Sequence, residues 1–180
     1  MIADSVGPLS RPFSVAQLPS RGTEVAVEAN PEERAALAKD LDLPAINSLS
    51  ARLHVTGSPA RVHVTGRLKA SIVQTCVVTL EEFPSELDEE VEVSFRAPLE
   101  GEREVESGEE IEVDPDAPEE LVGDRIDLGA ITAEFLALGL DPYPRKPGVE
   151  FEAENSNPSP ESASPFAALA RLRKDEPEGP

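Results

Sequence analysis

Tryptophan is absent from the 180 residues, and cysteine, methionine and tyrosine occur once each. The lone Cys76 rules out an internal disulfide framework and cannot build a thiolate metal cage alone, so neither redox chemistry nor a metal is expected. Aromatic residues make up only 4% of the chain, too few for a surface on which nucleic-acid bases stack in succession. No stretch approaches the roughly 18 apolar residues that a membrane span needs. The opening MIADSVGPLSRPFS lacks the apolar core of a signal peptide, so a cytoplasmic location without a membrane partner is expected. Glycine loops that cradle phosphate, a serine elbow and zinc-protease motifs are all missing. The expectation is a protein that is not an enzyme, with no catalytic residue and no cofactor.

What is abundant is acid. The formal net charge is -20, and residues 81–120 hold most of it, with 18 acidic side chains against 2 basic ones. Residues 1–80 are nearly balanced, with 7 acidic and 8 basic side chains. A phosphate backbone is repelled by the middle segment, whereas a basic protein is attracted to it.

Apolar periodicity places the elements. Asn30-Pro31-Glu32-Glu33 ahead of Ala35, Leu37 and Leu41 reads as a capped helix start, and Pro44 marks the stop. Leu49, Ala51, Leu53 and Val55 alternate with polar residues, and Val62, Val64, Leu68, Ala70 and Ile72 continue that period of two. Residues 72–80 are more uniformly apolar and β-branched, as in a strand covered on both sides, and Leu87, Glu89, Val91, Val93 and Phe95 resume an alternation with acids on the solvent face. Ile126, Leu128, Ile131, Phe135 and Leu138 follow Asp124 and Asp127 at helical spacing, with Gly139 and Pro142 beyond them. The predicted class is α+β: an antiparallel sheet, with a barrel-like closure as one option, packed with two or three helices. One domain over residues 1–151 is expected, with an acidic excursion at about 99–122 that contains one short strand near Ile111 and Val113. Residues 152–180 read as a mobile, disordered polar linker and a short amphipathic helix with Phe166, Leu169 and Leu172.

Two surfaces are candidates for binding. Arg52, His54, Arg61, His63, Arg67 and Lys69 fall on one sheet face by the alternation rule, where they could meet phosphates or form an ordinary solvated face, the preferred reading. A hairpin loop at 56–60 sets His54 opposite His63 or Arg61. Two imidazoles without a third ligand make a weak metal or general-base site, which is the basis of a rival reading as a small metal- or histidine-dependent hydrolase or nuclease. The second surface is the acid run with Glu102, Glu104, Glu106, Glu109 and Glu110. Asp114 and Asp116 suggest a calcium loop, but Glu119 and Arg125 stand where the turn glycine and bidentate glutamate belong.

Two segments carry a family resemblance: Gly66-Arg67-Leu68-Lys69-Ala70-Ser71-Ile72-Val73-Gln74-Thr75-Cys76, continuing to Glu81, and Asp124-Arg125-Ile126-Asp127-Leu128-Gly129, leading to Asp141-Pro142-Tyr143-Pro144-Arg145-Lys146-Pro147. With the closing Ser164-Pro165-Phe166-Ala167-Ala168-Leu169 they resemble the bacterial YceD family of large ribosomal RNA subunit accumulation proteins, over roughly residues 10–174. The resemblance implies a non-enzymatic factor in ribosome biogenesis that supports accumulation of large-subunit (23S) ribosomal RNA. Its partner would be that RNA or a basic ribosomal protein of the large subunit; a regulatory protein-interaction module is a further alternative. Many members carry a Cys-x-x-Cys pair in the strand that here holds Cys76, and further cysteines near the end, suggestive of zinc. This chain has Thr79 at the second position and no cysteine after Leu140, so zinc is not carried over and Cys76 reads as a small buried hydrophobe.

Overall fold

The computed structural model describes residues 7–98, 118–121 and 123–149. The chain divides into two units, Met1–Val149 and Glu150–Pro180; the second, with the expected linker and tail helix, lies outside the described residues. Strand β1 (Pro12–Ser14) leads through a 3-10 turn at Val15–Gln17 to β2 (Thr23–Glu28), α1 (Pro31–Asp40), β3 (Ala45–Ser58), β4 (Arg61–Thr75) and β5 (Glu82–Arg96). After the excursion come β6 (Glu119–Glu120), β7 (Arg125–Asp127) and α2 (Leu128–Leu138).

The main sheet runs β2-β3-β4-β5-β6, and β1 pairs with β7 in a separate two-stranded ribbon. Class α+β therefore holds, with two helices among the described residues. The barrel-like option does not: β2 and β6 are the outer strands, and among the described residues no pairing joins them. Nor is the sheet purely antiparallel, because the two-residue β6 lies parallel to β5, pairing Glu119 with Phe95. Of the excursion, residues 99–117 lie outside the described residues, including the strand expected near Ile111.

Helix α1 starts as its sequence dictates. Asn30 Oδ1 accepts from the N–H groups of Glu32 and Glu33 at 2.9 and 3.0 Å, and Glu33 Oε2 accepts from Asn30 N–H at 2.8 Å. The same carboxylate takes Arg11 in a forked pair at 2.8 and 3.0 Å, which ties the N-terminal segment to the helix. Asp127 does the equivalent for α2, accepting from Gly129 and Ala130 N–H, and from Arg11 N–H and the Ser10 hydroxyl of the chain laid alongside.

Long strands with strict alternation make one apolar face. Leu53, Val55, Val62, Val64, Leu68 and Val91 are buried there, and Leu128 and Leu136 of α2 close over them, fully buried; each such leucine contributes about 2 kcal/mol relative to exposure. A bulge between Ile46 and Ser48 shifts the parity of β3, which leaves Asn47 and Ser48 both exposed. Gly66 is required: a Cβ there would stand 2.1 Å from Arg52 O, so the backbones of β3 and β4 approach too closely for any side chain.

Two local expectations are corrected. Strand β4 ends at Thr75, and residues 76–80 form a turn in which Cys76 N–H donates to Glu81 O and Leu80 N–H to Cys76 O; Val77 and Leu80 are exposed rather than covered. The β-branched run signals a strand, but the turn bonds satisfy its backbone locally. His54 pairs with Thr65, not with His63 or Arg61, because the hairpin loop is Pro59-Ala60 alone and the strands run on to Ser58 and Arg61. Glu89 sits on the inner face, opposite Leu68, as its alternation with Leu87 and Val91 predicts.

Candidate functional site

Alternation along β3 and β4 does bring Arg52, His54, Arg61, His63, Arg67 and Lys69 to one face, opposite the core. The neighbouring strands decide what that face is. From β2, Glu24 stands opposite His54 and Glu28 opposite Ser50. From β5, Glu86, Asp88, Glu90 and Glu92 stand opposite Ser71, Lys69, Arg67 and Thr65, with Glu82 further along opposite Thr75. Asp88 reaches both bases, Lys69 at 3.0 Å and Arg67 at 3.4 Å. A basic centre two strands wide is thus bracketed by acid on both sides, and as a whole the face is not positive.

On β5 the acids form a row. Glu82, Glu86, Asp88, Glu90 and Glu92 all point outward, and at about 3.4 Å per residue the row extends roughly 34 Å. Its alternation was legible in the sequence. The other acids singled out there, Glu102, Glu104, Glu106, Glu109 and Glu110, lie outside the described residues.

The two histidines do not form a pair. His63 Nδ1 lies 2.8 Å from Ser94 Oγ, across to β5, while His54 stands two positions along, by Thr65 and Glu24. Among the described residues, no three His, Cys, Asp or Glu side chains converge in a way that could hold a metal ion. Around Gly66 lies a cavity of about 590 Å³ lined by Glu24, Arg52, His54, Thr65 and Arg67. Its walls carry both charge signs.

At the far end of β4, Cys76 is completely buried. It is more than a small hydrophobe. The backbone N–H of Lys146, then the hydroxyl and N–H of Thr79, bond its sulfur and outweigh burial, pulling the thiol from 9.0 down to about 6. Around it the 76–81 turn is clasped to the segment after α2: Val77 N–H donates to Pro144 O at 2.9 Å, and Lys146 Nζ lies 2.8 Å from Glu81 Oε2. That ion pair raises Lys146 and lowers Glu81. One sulfur with Thr79 beside it does not supply the thiolate set of a zinc site. Sequence reasoning missed this clasp, since its halves lie 65 residues apart.

No helix among the described residues is long and apolar enough to cross a membrane. Neither a curated protein nor a solved structure matches the chain. The family model described as large ribosomal RNA subunit accumulation protein YceD matches residues 64–173, from near the start of β4 through α2 and beyond. That span covers more than half of the chain, including β5 with its acid row and the Cys76 clasp, and the chain belongs to the YceD family.

Proposed function

We propose that this chain is a non-catalytic factor in large-subunit ribosomal RNA accumulation that works by holding a basic ribosomal protein. The family supports a role in ribosome biogenesis. The observation that carries the finer reading is the outward row Glu82, Glu86, Asp88, Glu90 and Glu92. An extended line of carboxylates repels RNA and accelerates capture of a cationic protein. The excess acid of residues 81–120 adds to the same field.

RNA contact through Arg52, Arg61, Arg67 and Lys69 is the second reading. It is less favoured because Asp88 already engages two of the four bases. The hydrolase or nuclease alternative rests on His54 and His63, which the register separates.

Pull-down of large-subunit ribosomal proteins and of ribosomal RNA with wild-type protein and an E86Q/E90Q/E92Q variant, across a salt series, tests the proposal. Wild type is expected to retain a basic protein, the variant to lose it, and rising salt to weaken it. Retention of RNA alone, abolished by changing Arg61, Arg67 and Lys69 together, would overturn it in favour of the second reading. Deleting the gene is expected to lower large-subunit RNA relative to small-subunit RNA, and unchanged ratios would count against any ribosomal role.

A further inference from the structure

Among the described residues the exposed large apolar side chains are Val77, Leu80, Leu138 and Tyr143, with Leu80 77% and Tyr143 71% accessible. Three of them gather at one end of the sheet. Val77 and Leu80 are on the turn after β4 and Tyr143 is on the segment clasped to that turn, while Leu138 ends α2. Leu80 is held at φ 59°, a conformation that a leucine adopts at a cost. Scattered singly, such residues need no explanation; gathered on two clasped loops, they mark an interaction surface.

Beside them opens a cavity of about 650 Å³ between the α1–β3 turn, the end of β4 and the segment after α2. Leu41, Leu43, Leu140 and Pro142 give it apolar walls, and among the described residues its charged lining is Asp42 and Asp141. Gln74 also lines it. That side chain is on the core face and 5% exposed. An amide side chain at a cavity wall offers an incoming group both a donor and an acceptor.

We infer that this cavity docks a segment of the basic partner in which a lysine or arginine stands next to an apolar side chain. This rests on the reading of the chain as a holder of a basic protein. The aliphatic stem of the cation lies along the leucine and proline walls while its head reaches Asp42 and Asp141. The neighbouring apolar side chain covers Leu80 and Tyr143, and the segment's backbone pairs with the Gln74 amide. Charge complementarity selects this occupant, since the charged side chains that line the cavity among the described residues are the acids Asp42 and Asp141. The β5 acid row steers the partner by long-range attraction, and the cavity supplies the short-range selection that a line of carboxylates lacks.

The test uses the full chain and two labelled peptides of equal charge, one alternating lysine with leucine, the other lysine with serine. The leucine peptide is expected to bind at least about tenfold more tightly, and a D42N/D141N variant to lose about tenfold of that affinity. Asparagine tolerates the positive φ of Asp42 and keeps the turn in which Asp141 accepts from Tyr143 N–H, so both changes spare the fold, which a urea titration verifies. An L80N variant, relieved of strain, is expected to weaken the leucine peptide alone. NMR signals of the Gln74 side-chain amide are expected to move on binding. Equal affinity for both peptides, or shifts confined to β5, overturns the inference while leaving the function reading intact. Peptide binding at Gln74 without capture of any basic ribosomal protein upholds the cavity and overturns the function reading instead.

Discussion

Arg52 and Arg67 stand directly opposite each other on β3 and β4, and Asp88 reaches Arg67 from the next strand at 3.4 Å. Like charges in facing positions are unfavourable, and the acid row of β5 offsets them. Replacing Asp88 with Asn frees Arg67 and Lys69 together. The groups are exposed, so the expected loss of stability is below about 1 kcal/mol. Affinity for a basic protein is expected to fall and retention of RNA to rise, read by paired binding titrations. A fall in both would show that the face acts as one mixed surface.

Gly66→Ala is expected to cost about 2 kcal/mol or more, because the added Cβ meets a backbone carbonyl that cannot move without parting the ladder. Thr65→Ala, one residue away on the exposed face, is expected to change stability by less than about 0.5 kcal/mol. Urea midpoints of the two variants measure the contrast. Equal effects would mean that the strands separate freely at this position.

The capping box of α1 was readable because its residues are adjacent: Asn30, Pro31 and Glu33 carry the chemistry within four positions. The basic face and the acids of β5 were readable because alternation assigns a face without knowledge of the partner strand. What alternation cannot give is register. His54 was set opposite the wrong residue because the loop was read as five residues when Pro59-Ala60 suffices. The 76–80 run misled for a different reason, since valine and threonine favour strands but Lys146 and Pro144 hold this stretch as a turn. Three-residue β1 and β7 are too short for a periodic signal, and the cavity at Gln74 joins segments from three places in the chain.

Asp127 illustrates a contact whose value depends on protonation. Burial pushes its carboxyl up, but the N–H of Arg11, the Ser10 hydroxyl and the N–H groups of Ala130 and Gly129 outweigh that and hold it below 3.8. A depressed acid stabilises the fold at pH above its unfolded value, and the contribution fades as pH falls through the folded value. Asp127→Ala is expected to cost about 2 kcal/mol at neutral pH, at the upper end for a lost cap because the N-terminal contacts go as well. The gap between variant and wild type should narrow below pH 3.8 in urea titrations. A gap that is independent of pH would mean that the carboxylate charge contributes nothing.

Cys76 provides the sharpest pH signature. Its thiol ionises near 6 in the folded chain and near 9.0 when unfolded, so between those values the unfolded state binds more protons and stability rises with pH. Outside that window the thiol contributes no slope. The ion pair next to it does not confuse the measurement, because Glu81 is lowered below 4.5 and Lys146 raised above 10.5. Cys76→Ser keeps an acceptor for Lys146 N–H and Thr79 while removing the titration, so the difference between the two proteins isolates the thiolate. Unfolding free energy of wild type relative to Cys76→Ser is expected to climb from pH 6 to 9 and then level, with thiolate ultraviolet absorbance of the folded protein rising near pH 6. Parallel pH profiles, with absorbance appearing only near pH 9, would return Cys76 to an inert buried hydrophobe and leave the Glu81–Lys146 pair as the main tie between the two loops.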